Sequence, residues 1–532
     1  MKHNNPLLSI LLPIIISVSV VVGITIGRML PPTPKAAQLS RSDKINSILN
    51  IIEANYVDTV NRAQLVESAI PAILRRLDPH SVYIPAKDLA RANEPLRGSF
   101  EGIGISFNMM TDTILIISAL PGGPSEKLGM LPGDKIIYIN DSLVAGKRVS
   151  EDNVMGMLKG PKGTNVNVKI LRSGHDELIP FEITRDKIPI YSVDVDYMIN
   201  ANTGYIKINS FAVTSYDEFM KSMRNLLNNG MEKLILDLRG NSGGIMEAAI
   251  RIANEFLNEK QLIVYTMGRA QPRSEAKANG RGIFKTGDLV ILIDEFSASA
   301  SEILAGAIQD NDRGTIIGRR SFGKGLVQEP VTLSDGSGIR LTIARYYTPT
   351  GRSIQKPYDE GFEKYYDDFH ERLVHIELEV SDSVRLADTL RFTTPGGRIV
   401  YGGGGIMPDK FVAVDTTMMS PYFARVRQLI YRFAMRYTEI NRETLNNFAT
   451  VGELEKYLDK QSLISKFVEF AEQNSVRRDL SGLRTSEKII HTQIKAYIAR
   501  NMLNNEGFYP IWGEIDTTLK FAIEYLNTDS KN

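Results

Sequence analysis

Three runs in the middle of this chain, GYIKINSF at residues 204–211, KLILDLRG at 233–240 and LVILID at 289–294, are short and apolar and read as buried strands. Between and after them, IMEAAIRIANEFL at 245–257 and EILAGAIQD at 302–310 repeat apolar residues at helical spacing. Strands alternating with helices define an α/β layer, and residues 188–409 carry that pattern. It does not account for the whole chain. At 532 residues the sequence is too long for one hydrophobic core, and domains of about 100–200 residues suggest about three of them plus connections.

The flanking texture differs. Residues 98–186 hold short apolar runs, among them GIGISF, TILIISAL, DKIIYIN and NVNVKIL, broken by glycine, proline and asparagine, which reads as a small β-rich module. Before it, residues 44–77 place Ile45, Ile48, Leu49 and Ile52, then Leu65, Ala69, Ile70 and Ile73, on helical faces. Those helices end at Leu77-Asp78-Pro79-His80-Ser81, where proline disfavours a helical Asp78. Beyond Met418 the chain is helical and charged to its end, a scaffold or interaction domain without a tight motif. The expected fold is therefore multidomain α+β: an anchor or signal segment (1–30), a linker with N-terminal helices (31–97), a β-rich domain (98–186), an α/β core (187–417) and a helical C-terminal domain (418–532).

Composition removes several functions. Lysine plus arginine number 63 against 62 acidic residues, so the basic excess expected of a nucleic-acid binder is missing. There is no cysteine, which excludes disulfides, thiol nucleophiles and cysteine-ligated metals. No metal or organic cofactor is implied. Residues 6–27 carry no charge and are long enough, at about 1.5 Å per residue, to cross a hydrocarbon layer of about 30 Å. An uncleaved membrane anchor is the expectation, with cleavage near Ala36-Ala37 as the alternative. Lys2 precedes the segment while Arg28, Lys35 and Arg41 follow it, so charge sets no orientation.

The chemistry is expected around Ser297-Ala298-Ser299-Ala300-Ser301-Glu302, which joins the strand LVILID to an apolar helix. A serine there lies near helix N–H groups that can stabilise an oxyanion, though serine is also a good N-cap. Six histidines stand at 3, 80, 175, 370, 375 and 491, none of them between 175 and 370, so a nearby histidine base is disfavoured. Lysine can replace it when burial lowers its pKa toward neutrality, and Lys324 in Phe322-Gly323-Lys324-Gly325 is the candidate. A third piece, Asp237-Leu238-Arg239-Gly240-Asn241-Ser242-Gly243-Gly244, is a strand ending in a glycine turn that could offer N–H groups to an oxyanion.

Two competing readings share these residues. Gly240 to Gly244 also matches the G-x-S-x-G nucleophile elbow, which would make Ser242 an esterase nucleophile with His370 or His375 as its base. Ser321 to Lys324 matches S-x-x-K, but glycines at 323 and 325 make the required helix costly.

Taken together these motifs resemble the carboxyl-terminal processing peptidases, or tail-specific proteases, over residues 45–409. SASASEILAGAIQD followed by GRRSFGKGLVQ carries the resemblance in residue type, order and spacing. It implies Ser299 as nucleophile, Lys324 as general base, Gln328 orienting the lysine and Asp310 as a supporting acid. It also implies an oxyanion site at Gly243, Gly244 and Ala300, although Ser242 stands where the family commonly has proline. The β-rich module resembles the family's PDZ domain, with Gly102-Ile103-Gly104-Ile105 as the carboxylate-binding loop and strand. Lys159 stands where some relatives have a basic residue coupling that domain to the active site. The resemblance further implies protein or peptide substrates with accessible C-termini, pairing of chains through the N-terminal helices, and a catalytic body outside the cytoplasm on the periplasmic side of an inner-membrane anchor. A noncatalytic PDZ scaffold is a further alternative.

Overall fold

The computed structural model describes residues 16–25, 44–110, 112–374 and 390–529, which divide into two units, Met1–Ile73 and Leu74–Asn532. In the first unit residues 16–25 are helical and exposed, followed by α1 (Lys44–Asn55) and α2 (Arg62–Leu74). Their apolar positions Ile45, Ile48 and Ile51 stay exposed. Among the described residues no helix is long and apolar enough to cross a membrane, and most of the uncharged stretch at 6–27 lies outside them.

The second unit opens with β1 (Val82–Ile84) and α3 (Ala86–Arg97). A ribbon of β2 (Ser99–Gly102) and a later strand then leads into the β-rich module. This comprises β3 (Ile105–Met110), β4 (Thr113–Ala119), the single turn α4 (Pro124–Lys127), β5 (Lys135–Ile139), β6 (Ser142–Leu143), α5 (Glu151–Leu158), β7 (Asn165–Leu171), β8 (Ile179–Thr184) and β9 (Asp186–Pro189), the partner of β2. The main sheet runs β3-β4-β5-β7-β8, so β3 is an edge strand. Period-two patterning builds it: on β7, Val166, Val168 and Ile170 are buried and their neighbours exposed.

The α/β core follows: β10 (Val193–Met198), β11 (Thr203–Ile208), α6 (Ser215–Asn228), β12 (Lys233–Asp237), α7 (Met246–Asn254), β13 (Leu262–Met267), β14 (Ser274–Lys277), β15 (Asp288–Ile293), α8 (Ala300–Asp310), β16 (Thr315–Gly318), β17 (Leu326–Thr332), β18 (Gly338–Tyr347), α9 (Phe362–Val374), β19 (Arg391–Thr393), β20 (Ile399–Tyr401) and β21 (Lys410–Phe411). One sheet has the order β10-β11-β12-β15-β16-β21 and is parallel from β11 to β21. A second contains β1-β18-β13-β14, with β17 also paired to β18. The apolar runs are continuous because both faces of the first sheet are covered. Leu234, Leu236, Ile291 and Ile293 pack with α6, α7 and α8, whereas Ile235, Val290 and Leu292 pack with Leu519, Ala522 and Leu526 from the far end of the chain.

The tail comprises α10 (Pro421–Ile440), α11 (Arg442–Leu445), α12 (Val451–Leu458), α13 (Leu463–Gln473), α14 (Leu480–Trp512), interrupted at Leu503 and Asn504, and α15 (Thr517–Asp529). Helices α10 to α14 enclose their own core around Phe433, Leu454, Phe467 and Ile494. Helix α15, which the sequence pattern groups with that helical domain, lies on the core sheet instead, where Lys233 Nζ donates to the Leu526 carbonyl (2.7 Å).

Candidate active site

The three serines after β15 have different environments. Ser297 Oγ donates to the Leu238 carbonyl and Ser301 Oγ to the Asn241 carbonyl, both at 2.9 Å, so each is buried as a tie to the turn after β12. Ser299, half-buried between them, has φ 56° and ψ −114°, a strained backbone for a residue with a side chain. Its N–H donates to Glu302 Oε2 (2.8 Å), while the Glu302 N–H bonds the Ser299 carbonyl (2.9 Å). Ser299 and Glu302 thus stand as a capping box at the start of α8. The Ser299 hydroxyl proton is donated to no partner among the described residues, so it is available for transfer.

Lys324 lies on the loop from β16 to β17, and its N–H reaches the same carboxylate, Glu302 Oε2, at 2.9 Å. Gly323 is needed beside it: φ is 91°, and a Cβ would lie 3.2 Å from Lys356 Cβ and from Gly405 N. Lys324 Nζ donates to Gln328 Oε1 (3.0 Å). The amide of Gln328 is oriented from its other end, where Nε2 donates to the His80 carbonyl. That carbonyl belongs to a turn in which Asp78 Oδ1 accepts the N–H groups of His80 and Ser81, each at 2.8 Å. Burial, and then the charge of Arg340, lower the Lys324 pKa, against opposing contributions from Glu302 and Asp78. No hydrogen bond joins Lys324 Nζ to Ser299 Oγ among the described residues.

His80 is a turn residue, as the sequence suggests. Its Nε2 meets the Tyr365 hydroxyl at 2.9 Å, and burial followed by the Lys324 charge lowers its pKa to about 3, so the ring is neutral. Burial pushes Glu302 up to about 7, although Ser321 Oγ (2.5 Å), Gly323 N–H (2.7 Å), Lys324 N–H and Ser299 N–H all donate to it and favour the anion. Among the described residues no group of three or more histidine, aspartate or glutamate side chains could hold a metal ion.

The glycine turn corrects one expectation. Gly243 donates its N–H to Asn241 Oδ1 (2.8 Å), so of the three expected oxyanion donors Gly243 is already engaged. The N–H groups of Gly244 and Ala300 have no hydrogen bond among the described residues. Gly243 serves by being small: a Cβ there would lie 2.7 Å from Ser299 Cβ and 3.0 Å from Ala300 N. Asp310 ends α8, about 16 Å from Ser299 along the helix at roughly 1.5 Å per residue. It accepts from Arg352 Nη2 (2.6 Å) and from the Thr350 hydroxyl (2.7 Å), and makes no hydrogen bond to Ser299 or Lys324 among the described residues.

Ser242 is exposed. Of the histidines its esterase reading needs, His370 is exposed on α9 and His375 lies outside the described residues. Ser321, the serine of the S-x-x-K match, is buried in a non-helical segment with its hydroxyl on Glu302. In the β-rich module the carbonyls of Ile103 and Gly104 are taken by Ser125 and Leu120, and the N–H groups of the same two residues have no hydrogen bond among the described residues. Gly102 is buried and Ile105 pairs with Ala119 at the start of the edge strand. Lys159 reaches Glu94 on α3 (2.5 Å).

Sequence reasoning did not single out Glu302, Tyr346 or Asn241. Glu302 had a signal, because Ser-x-x-Glu before an apolar run is a capping-box spacing. Tyr346 had none.

Residues 202–363 match Peptidase family S41, 102–183 a PDZ domain, 31–88 the N-terminal domain of the activating protease CtpB, and 422–504 a family of unknown function. A carboxy-terminal-processing protease of Bartonella bacilliformis is 35% identical over 319 residues, 59% of this chain and 72% of that protein. The carboxy-terminal processing protease CtpB of Bacillus subtilis is 35% identical over 323 residues, 59% of this chain and 65% of the relative. Among solved structures, a photosystem II D1 C-terminal processing protease is 28% identical, covers 58% of this chain and 89% of its own, and has a TM-score of 0.34.

Proposed function

We propose that this chain, which belongs to the carboxy-terminal-processing proteases of peptidase family S41 and carries a PDZ domain, cleaves protein substrates with Ser299 as nucleophile and Lys324 as general base. The observation that carries the assignment is that the backbone N–H groups of a strained serine, whose hydroxyl donates to no other group among the described residues, and of a largely buried lysine share one carboxylate oxygen, Glu302 Oε2. In the proposed reaction neutral Lys324 takes the Ser299 proton as Oγ attacks the scissile carbonyl, and the N–H groups of Gly244 and Ala300 receive the developing oxyanion. Lys324 then protonates the leaving amine, and afterwards takes a proton from the water that hydrolyses the acyl-enzyme. Gln328 keeps the amine directed: its carbonyl accepts one N–H and leaves the lone pair for the serine.

The pH dependence follows in sign. The active form of Lys324 is neutral, so kcat/KM is expected to rise with pH through a pKa below the ordinary lysine value of about 10.4 and to level off above it. Arg340 contributes to the depression, so Arg340→Gln should move the midpoint upward. A pH–rate profile of wild type and variant checks both, and a falling basic limb would sink the lysine base.

The PDZ domain supports capture of a substrate tail. The N–H groups of Ile103 and Gly104 suit a carboxylate, and the edge strand β3 can accept an added strand. Amidating the terminus of a bound peptide is expected to weaken binding about tenfold, or ~1.4 kcal/mol. Fluorescence anisotropy on free-acid and amidated peptides measures this, and equal affinities would remove the carboxylate from the reading.

The uncharged stretch at 6–27 supports an anchored protein, the resemblance to the carboxyl-terminal processing peptidases supports a catalytic body on the periplasmic side of the inner membrane, and the exposed isoleucines of α1 support pairing of chains. Protease added to spheroplasts should reach the body, and cross-linking at α1 should yield dimers; a protected body or monomers alone would oppose these readings.

A further inference from the structure

Ser299 and Lys324 sit on separate turns, and no hydrogen bond joins their side chains among the described residues. Their separation must therefore be set by the backbone, and the backbone of both is held by the same two side chains. Glu302 Oε2 accepts the N–H of Ser299 (2.8 Å) and the N–H of Lys324 (2.9 Å). The Tyr346 phenol donates to the Ser299 carbonyl (3.1 Å) and to the Lys324 carbonyl. Each of the two residues is thus fastened at both of its peptide polar groups.

We propose that Glu302 and Tyr346 form a clamp that sets the distance between the Ser299 hydroxyl and the Lys324 amine; both are positioning residues, and the inference rests on the reading of Ser299 and Lys324 as nucleophile and base. The clamp is referenced to rigid structure. Tyr346 lies in β18, its N–H bonds the Gly325 carbonyl (3.0 Å), and β18 pairs with β17, the strand that carries Gln328. Glu302 lies in the first turn of α8, and its other oxygen takes Ser321 Oγ and Gly323 N–H from the lysine loop. Both side chains are buried, at 0% and 1% exposure, so water does not compete for these bonds.

Burial also argues that the arrangement is not there for stability. Four donors converge on a carboxylate that has no salt-bridge cation among the described residues, in a helix whose other residues are apolar or small over most of its length, and a desolvated carboxylate is expensive to keep. A phenol has one proton to share between two carbonyls, which makes it a poor pair of bonds but a good ruler between them. Positioning has a large effect in chemistry of this kind, since a displacement of about 1 Å costs roughly 100-fold in rate.

The test uses the full chain and two readouts. Peptide hydrolysis gives kcat and KM, and a fluorophosphonate probe gives the rate at which Ser299 Oγ displaces fluoride from phosphorus, its proton passing to Lys324, without any peptide tail. Tyr346→Phe deletes one oxygen and keeps the ring. It is expected to lower kcat and the phosphonylation rate together, by about 10–100-fold, with KM within about twofold and the thermal midpoint within a few degrees. Glu302→Gln keeps the volume and serves the same purpose should Tyr346→Phe fail to fold. Because the two act as one device, the double variant should lose no more than the worse single variant. Turnover within twofold of wild type in a folded single variant, a change confined to KM, or losses that multiply in the double variant would each overturn the clamp. Ser299→Ala runs alongside: if it is still phosphonylated, the nucleophile assignment itself fails and the clamp falls with it, a result distinct from wild-type rates in Tyr346→Phe alone.

Discussion

Ser299→Ala is expected to lower kcat/KM on an unfolded protein substrate by about 10⁴-fold or more while the protein stays folded. Stability should fall by no more than about 1 kcal/mol, the usual cost of losing a serine from a helix cap, because alanine meets the same backbone strain as serine. Lys324→Ala should fall to a similar level, and the two losses should not multiply, because a nucleophile without its base and a base without its nucleophile are equally idle. The residual rate would come from Gly244 and Ala300 acting on bound substrate. Measured kcat/KM for both single variants and the double variant decides the matter. Activity retained in Ser299→Ala and lost in Ser242→Ala would restore the esterase reading, while binding without proteolysis in the wild type would favour a scaffold.

Asp310→Ala is expected to act on stability by about 3–5 kcal/mol. Arg352 is wholly buried and pairs with Asp310 at 2.6 Å, while its remaining N–H groups reach Gln309 Oε1 and the Tyr401 carbonyl, both at 2.7 Å. Removing the carboxylate leaves a guanidinium charge without its counter-ion in the interior, and it also frees the Thr350 N–H and hydroxyl. At roughly 2–4 °C per kcal/mol for a domain of this size, the thermal midpoint should drop by about 10 °C. Activity per folded molecule at low temperature should stay within about tenfold of wild type, because this cluster is remote from Ser299. Thermal denaturation together with active-site titration separates the possibilities: an unchanged midpoint with lost activity would make Asp310 a chemical participant rather than a support.

Much of the architecture was legible because local patterns determine it. The strands at 233–240 and 289–294 were readable from their apolar runs, and the helix after Ser299 from its spacing. The β-rich module was readable from short strands between turn residues. The C-terminal helix was misjudged for a physical reason: a run such as TTLKFAIEYLNTD states that one face must be covered but not by what. It covers the second face of the core sheet rather than joining α10 to α14. Gly243 was misjudged because a glycine can matter by offering an N–H or by taking no space, and the side chain of Asn241 decides between them.

The sequence by itself determined which residues could do the chemistry: a serine at a strand-to-helix junction, a lysine between glycines, and no histidine nearby to compete. Those are statements about residue type and near neighbours, and near neighbours are where sequence is informative. What the tertiary structure alone decided is which groups are spent and which are left. Ser297 and Ser301 are tied to the turn after β12, Gly243 to Asn241, and Gln328 to the carbonyl of His80, far away in the chain. Hydrogen bonds between distant segments depend on how layers stack and register, and no spacing rule along the chain encodes them. The undonated proton of the Ser299 hydroxyl and the largely buried amine of Lys324 are what remains once those bonds have been made.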